Sequence, residues 1–336
     1  MGTCLVMMEV VRMKTIKIGL LGLGNIGTGT YKTLEMNRSE IESTLNAKVE
    51  IVKILERDTE RDRGITVPKE KFTSDPDEIF QDPEIDIVIE LLGGIEPATT
   101  FMLSALKNGK HVVTANKAAL AANYHELINA AKENNVILRF EASVGGGIPI
   151  LGTLTGPLRA NKFEEVMGIL NGTTNYILTM MTKEGLDYET ALKDAQEQGF
   201  AEADPTADVE GIDAANKLTI LMALMFDKYV APKDIPTTGI TEITKEKIEE
   251  ARSNGCKIKL IAHAWRDEND EIKYEVRPMY ISATHPLANI NKEFNAVFVK
   301  GNAVDDVMFY GKGAGPLPTG SAVLGDVIDI SMMILK

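Results

Sequence analysis

The chain has 336 residues, 44% hydrophobic and 25% charged, with a formal net charge of −13. That length suffices for two domains with cores of their own, and the acidic balance argues against nucleic acid as a partner. Cys4 and Cys256 stand far apart without CxxC spacing, and His111, His125, His263 and His285 form no ligand pattern, so neither a disulfide framework nor a zinc site is expected.

The opening stretch MGTCLVMMEVVR lacks a basic start and carries Glu9 and Arg12 within its apolar part, unlike a signal peptide. Met13 directly precedes the first strand, so residues 1–12 read as an extension or a mis-assigned start. No stretch offers the roughly 18 uncharged apolar residues of a membrane span. A cytoplasmic protein that binds no membrane is expected.

Residues 15–21, TIKIGLL, form a short apolar run typical of a buried parallel strand. GLGNIG follows at once, with Gly22, Gly24 and Gly27 in GxGxxG spacing, and then a helical stretch to about Leu34. Such glycines permit a tight turn and let the backbone approach a pyrophosphate at the helix N-terminus, which makes Gly22, Gly24, Asn25, Ile26 and Gly27 candidate cofactor contacts. VEIVKIL (49–55), IDIVIEL (85–91), HVVTA (111–115) and VILRFEAS (136–143) read as further strands. Helices are expected over 98–109, stopped by Gly109, and over 118–134. Strand and helix alternate as in a doubly wound parallel sheet of the Rossmann type.

Ligands of such sheets sit off the carboxyl ends of the strands, here the glycine turn, Glu56-Arg57, LLGG with Gly93, TANK ending in Lys117, and EASVGGG (141–147). Glu56 could accept from a ribose 2′-hydroxyl, whereas Arg57, Arg61 and Arg63 could receive a 2′-phosphate. The arginines tip the reading towards NADP over NAD; a solvated charged loop is the plain alternative.

Beyond about Gly145 the pattern changes. FEEVMGIL, KIKLIAHAWR, EIKYEVRPMYI and NAVFVKG read as strands, with helices over 189–199 and 211–226 and a hairpin signal at RDENDE. Few helices between strands suggest an α+β domain with an antiparallel or mixed sheet. The helix SAVLGDVIDISMMIL is expected to pack back on the first domain. The division is then 1–144 with 315–336 for the dinucleotide, and 145–314 for catalysis and dimerisation.

Taken together, GLGNIG, TANK, EASVGGGIPI, NGTTNYIL, GFAEADPTADVEGIDAANKL and GKGAGPLPTGSAVLGDV resemble homoserine dehydrogenase, in order from about Met13 to Ile330. The resemblance implies NAD(P)-dependent interconversion of L-homoserine and L-aspartate 4-semialdehyde, on the route to threonine, methionine and isoleucine. It places Lys117 and Lys217 on the catalytic lysines, and Glu202 and Asp213 on the substrate-binding carboxylates. It assigns Glu141, Val144, Gly146 and Ile148 to a monovalent-cation site such as sodium's, and Gly199 and Gly313 to further cofactor contacts. It also implies a homodimer paired through the second-domain sheet. The aspartate kinase and C-terminal regulatory domains of some relatives have no counterpart here, so threonine feedback through such a domain is not expected. Glu56 departs from the small or apolar residue expected before the arginine.

The residues themselves support that chemistry. Asp213 and Lys217 are four apart, on one helix face at the mouth of an apolar core. Burial lowers a lysine's pKa and carboxylates raise it, and a lysine suits the oxygen whose charge changes during hydride transfer. The plain reading is a surface pair worth about 0.2–0.5 kcal/mol. Likewise EASVGGG reads equally as a hinge, and Asp204, Asp208 and Glu210 as turn and capping residues. NGTTNYIL reads as a strand end turning into a helix capped by Thr173 or Thr174, with no assigned role.

Three rivals stand beside this reading. Aspartate-semialdehyde dehydrogenase needs a thiol nucleophile, and Cys256 has no histidine near it in sequence. Another small hydroxy- or amino-acid dehydrogenase could use the same scaffold. A non-catalytic dinucleotide sensor would need the glycine turn but not two lysines and two carboxylates.

Overall fold

The computed structural model describes residues 13–336, so the expectations for residues 1–12, Cys4 included, lie outside the described residues. Six parallel strands form the first sheet: β1 Thr15–Leu21, β2 Lys48–Leu55, β3 Phe72–Thr73, β4 Ile87–Glu90, β5 His111–Thr114 and β6 Leu138–Arg139, in the order β3-β2-β1-β4-β5-β6. Helices cover both faces, which is why every residue of β4 is buried and its sequence is continuously apolar up to Glu90. Strand order reverses between β1 and β4, so the ligand crevice opens there.

The expected helix 118–134 is two helices, Lys117–Ala122 and Tyr124–Glu133. They part at Asn123, whose amide donates to Thr99 Oγ1 at 3.0 Å and to the Ala119 carbonyl at 3.3 Å. A side-chain amide that bonds locally competes with the helical ladder and ends it.

The second sheet is antiparallel throughout: β7 Phe163–Ile169, β8 Cys256–Arg266, β9 Ile272–Ser282, β10 Phe294–Gly301 and β11 Asp305–Lys312, in the order β11-β10-β7-β8-β9. RDENDE does turn the β8–β9 hairpin, with Arg266 opposite Ile272. Edge strand β11 escapes the sequence reading because no residue of it is buried. One face of this sheet packs Ile258, Leu260, Ala262 and Val297 into the main core with Leu218 and Leu221 of helix Ile212–Phe226. The opposite face holds a smaller cluster around Ile169, Ile261 and Phe298.

The last helix, Pro316–Ile334, starts ahead of the expected Ser321 because Pro316 suits the first helical turn, where a missing N–H costs nothing. Its length and mean hydropathy of 1.3 would suit a membrane span. In the fold, Val323, Leu324, Val327 and Ile330 enter the core of the first sheet beside Ile18 and Leu20. The contact with helix Asn25–Met36 is glycine-lined: a Cβ on Gly29 would lie 2.1 Å from the Pro316 carbonyl oxygen, and one on Gly320 2.7 Å from Thr30 N.

Candidate active site

Gly22 follows β1 with φ +91°, and a Cβ on Gly27 would meet the Gly22 carbonyl oxygen at 2.2 Å, so the turn into helix Asn25–Met36 needs both glycines. No side chain caps that helix, which leaves the amides of its first turn facing the crevice, a fit for a dinucleotide's pyrophosphate. Gly93, with φ +79°, turns the chain after β4 across the same crevice.

Glu56, at the end of β2, is fully engaged within the protein. Its Oε2 accepts from Leu23 N at 3.0 Å, and Oε1 from Arg57 N at 2.8 Å and Asp58 N at 3.1 Å. The Arg63 guanidinium lies 3.3 Å from Oε2 and donates to the carbonyls of Leu23, Arg61 and Asp58. Burial pushes the Glu56 pKa up, but these amides and Arg63 outweigh it and hold the carboxylate below its ordinary range. Glu56 and Arg63 thus brace the glycine turn. Arg57 and Arg61 remain exposed. A cavity of about 300 Å³ beside the turn is lined by Gly24, Asn25, Thr28, Lys32 and Arg61 among others.

Lys117 is placed by a chain of buried bonds. Thr114 Oγ1 donates to Glu90 Oε2 at 2.7 Å and accepts from Asn116 N at 2.9 Å; Asn116 then caps helix Lys117–Ala122 through Ala119 N at 3.1 Å. Glu90 is wholly buried, and burial raises its pKa against the bonds from Thr114 and Leu92 N. Sequence reasoning passed over Glu90 because it closes an apolar strand.

Across the crevice, helix Ile212–Phe226 carries Asp213 in its first turn and Lys217 one turn on, both buried. Lys217 Nζ donates to Asp213 Oδ2 at 2.6 Å and to the Leu170 carbonyl at 2.6 Å. Lys117 Nζ lies 3.1 Å from Asp213 Oδ1. Two lysines from different helices, Lys117–Ala122 and Ile212–Phe226, therefore share one carboxylate. Burial opposes the charge on Asp213, yet Lys217, Lys117 and Asn171 hold its pKa far below the ordinary carboxylate range. Burial, helped by the Lys117 charge, lowers the Lys217 pKa, whereas the Asp213 charge raises that of Lys117. Environments that drive two like groups apart in this way mark an acid–base site.

Asn171 and Asp208, neither given a site role by sequence reasoning, join this cluster. Asn171 Nδ2 donates to Asp208 Oδ1 at 2.6 Å and to Asp213 Oδ2 at 2.9 Å. Asn171, not Thr173 or Thr174, caps helix Gly172–Glu184, through Thr174 N. Only the tertiary pairing of β7's exit with helix Ile212–Phe226 reveals it. Glu202 is exposed and makes no side-chain hydrogen bond among the described residues; its charge contributes to the raised pKa of Lys117. Asp204 accepts from Thr206 N at 3.1 Å and acts as a turn residue, as expected.

The remaining expected residues lie elsewhere. Glu141 accepts from Ile150 N at 2.6 Å, Leu151 N at 2.8 Å and Gly152 N at 2.5 Å, at the start of helix Leu151–Thr155. Gly199 has φ +76° and ends helix Tyr188–Glu197 by donating to the Gln196 carbonyl. Gly313 lies against Asn295, whose Nδ2 would be 2.0 Å from a Cβ there.

A dinucleotide turn at the switch point, facing lysines of opposed acidity, is the arrangement of a nicotinamide-dependent oxidoreductase. Residues 22–141 match the profile of the homoserine dehydrogenase NAD binding domain, and residues 149–328 that of homoserine dehydrogenase. The chain is 45% identical over 318 residues to the Bacillus subtilis homoserine dehydrogenase, covering 95% of this chain and 73% of the relative. It superimposes on the Thiobacillus denitrificans homoserine dehydrogenase with a TM-score of 0.92 at 43% identity, covering 96% of this chain and 74% of that one. A hyperthermophilic archaeal homoserine dehydrogenase in complex with NADPH gives a TM-score of 0.80 at 26% identity, covering 95% and 98%. The chain belongs to the homoserine dehydrogenase family. It is an NAD(P)-dependent oxidoreductase of the CH–OH group of L-homoserine, interconverting it with L-aspartate 4-semialdehyde in amino-acid biosynthesis. The sensor reading is not favoured.

Proposed function

We propose that Lys217 carries the proton in this reaction and that Lys117, held charged by Asp213, steadies the oxygen that changes charge. The observation behind this is the sharing of Asp213 by a lysine of lowered pKa and one of raised pKa. A nicotinamide bound at the glycine turn would supply the hydride acceptor for C4 of homoserine, or the hydride donor to the semialdehyde. Neutral Lys217 accepts the hydroxyl proton in oxidation, and the ammonium form gives it back in reduction. Lys117 places a fixed positive charge where an alkoxide would develop. Glu202 and Asp213 bind the substrate ammonium: Glu202 has both oxygens free among the described residues, and Asp213 retains one of its roughly four acceptor positions.

For the cofactor we favour NADP over NAD. Glu56 and Arg63 are spent on the glycine turn, which leaves Arg61, lining one cavity with Lys32, and the exposed Arg57 as cations for a 2′-phosphate. Gly22, Gly24, Asn25, Ile26, Gly27 and Gly93 line the dinucleotide, with Gly199 and Gly313 as outer contacts. Glu141, Val144, Gly146 and Ile148 would hold a monovalent cation. The Val144 and Gly146 carbonyls accept no hydrogen bond among the described residues, and Glu141 keeps an acceptor position beyond its three amides. The division into 1–144 with 315–336 and 145–314, a homodimer and a cytoplasmic location complete the proposal. For the homodimer, the open face of the second sheet presents Met308, 39% exposed, and Tyr310, 54% exposed.

The test is absorbance at the reduced-nicotinamide band with L-homoserine, run in parallel with NAD and NADP. Faster turnover with NADP supports the cofactor assignment; faster turnover with NAD returns Glu56 to the ribose.

A further inference from the structure

We propose that Asn171 is a positioning residue of the reaction, clamping Asp208 and Asp213 side by side so that Asp213 presents one oxygen to each lysine. This rests on the assignment of Asp213 and Lys217 to the reacting site. The clamp is built by the turn out of β7. Leu170 lends its carbonyl to Lys217 Nζ at 2.6 Å, and the next residue, Asn171, lends its amide to the aspartate partner of that lysine. One two-residue turn thus holds both halves of the buried pair.

The orientation of the Asn171 amide follows from its surroundings. Its Oδ1 accepts from Thr174 N at 2.9 Å and lies 3.1 Å from Thr174 Oγ1, so the NH₂ must face the other way. Both hydrogens are then used, one on Asp208 Oδ1 at 2.6 Å and one on Asp213 Oδ2 at 2.9 Å. Asn171 is 5% exposed, so neither hydrogen would find water as a substitute. Two neighbouring carboxylates repel, and a neutral bridging donor holds them together without neutralising either.

Capping alone does not call for this side chain. Serine and aspartate cap a helix about as well as asparagine. Of the three, only asparagine offers one acceptor and two donors at once.

The test compares Asn171→Asp and Asn171→Ser with the wild-type enzyme. Asn171→Asp keeps the size and the cap acceptor, loses both donors and adds a third negative charge. Expected are a lowered melting temperature, since a third carboxylate is buried against two others, an unchanged KM for the dinucleotide in the folded variant, and kcat for homoserine oxidation lower by roughly ten- to a hundredfold. Its kcat–pH profile should also shift to higher pH, because the added charge favours the ammonium form of Lys217. Asn171→Ser keeps the cap with one donor and no added charge, and should lose less activity without that shift. Wild-type kcat and pH profile in a folded Asn171→Asp would make Asn171 a helix cap only. If Asn171→Asp fails to fold, a wild-type kcat in Asn171→Ser overturns the proposal equally. Asp213→Asn and Lys217→Ala, assayed beside them, separate the two levels: if these keep full turnover, the site assignment fails whatever Asn171 does.

Discussion

Asp213 divides its carboxylate between two lysines, Oδ2 lying 2.6 Å from Lys217 Nζ and Oδ1 3.1 Å from Lys117 Nζ. Lys217 belongs to the same helix and Lys117 to the helix that follows β5 of the first sheet, so this one carboxylate ties the two elements together. It also underlies the proposal that Lys217, and not Lys117, moves the proton. Lys217 is buried and its ammonium form is disfavoured; Lys117, more exposed, keeps its charge.

The pH dependence follows with its sign. If Lys217 carries the proton as proposed, oxidation of homoserine needs it neutral, and kcat should rise with pH through a limb lying below the ordinary lysine value. Reduction of the semialdehyde needs the ammonium form, so its kcat falls through the same limb. In Asp213→Asn the nearest opposite charge is gone, and the limb of the residual oxidation moves to lower pH still. Profiles of kcat in both directions check this; a limb at or above the ordinary lysine value contradicts it.

Glu56 tests the cofactor assignment. Glu56→Ala removes the acceptor of Leu23 N and the partner of Arg63, so KM should rise for NAD and NADP alike, by about tenfold. Arg57→Ala or Arg61→Ala should raise KM for NADP by a similar factor and leave NAD nearly unchanged. Steady-state kinetics with both dinucleotides decide it. Loss confined to NAD in Glu56→Ala would make Glu56 a ribose ligand.

Gly29→Ala should cost about 1–3 kcal/mol, because its methyl would sit 2.1 Å from the Pro316 carbonyl oxygen and force the last helix off its seat. Gly325→Ala is the control: the same helix, but nothing within 4 Å of the new Cβ. Thermal unfolding should show a lower Tm for the first and an equal or higher one for the second.

Much of this fold can be read along the chain. The first sheet is announced by apolar runs, two of them leading into glycine turns at Gly22 and Gly93, and helix Ile212–Phe226 by the apolar run behind Asp213 and Lys217. What escapes depends on distance in sequence. Strand β3 spans only Phe72–Thr73, and β11 buries none of its residues, so neither carries a pattern. Glu56 looks like a ribose ligand until Leu23 N and Arg63 are seen to occupy it. Asn171 and Asp213 are 42 residues apart, and nothing local announces that an N-cap also reaches a buried aspartate. The two lysines could be matched by resemblance; their opposed acidity required burial and neighbours to be known.

The most direct test is the rate of reduced-nicotinamide formation from L-homoserine by Lys217→Ala, with dinucleotide affinity measured separately by fluorescence. Turnover should fall by roughly 10²–10⁴-fold while the dinucleotide Kd stays at the wild-type value. A kcat within a few-fold of wild type, with the dinucleotide bound normally, would show that the proton travels by another group.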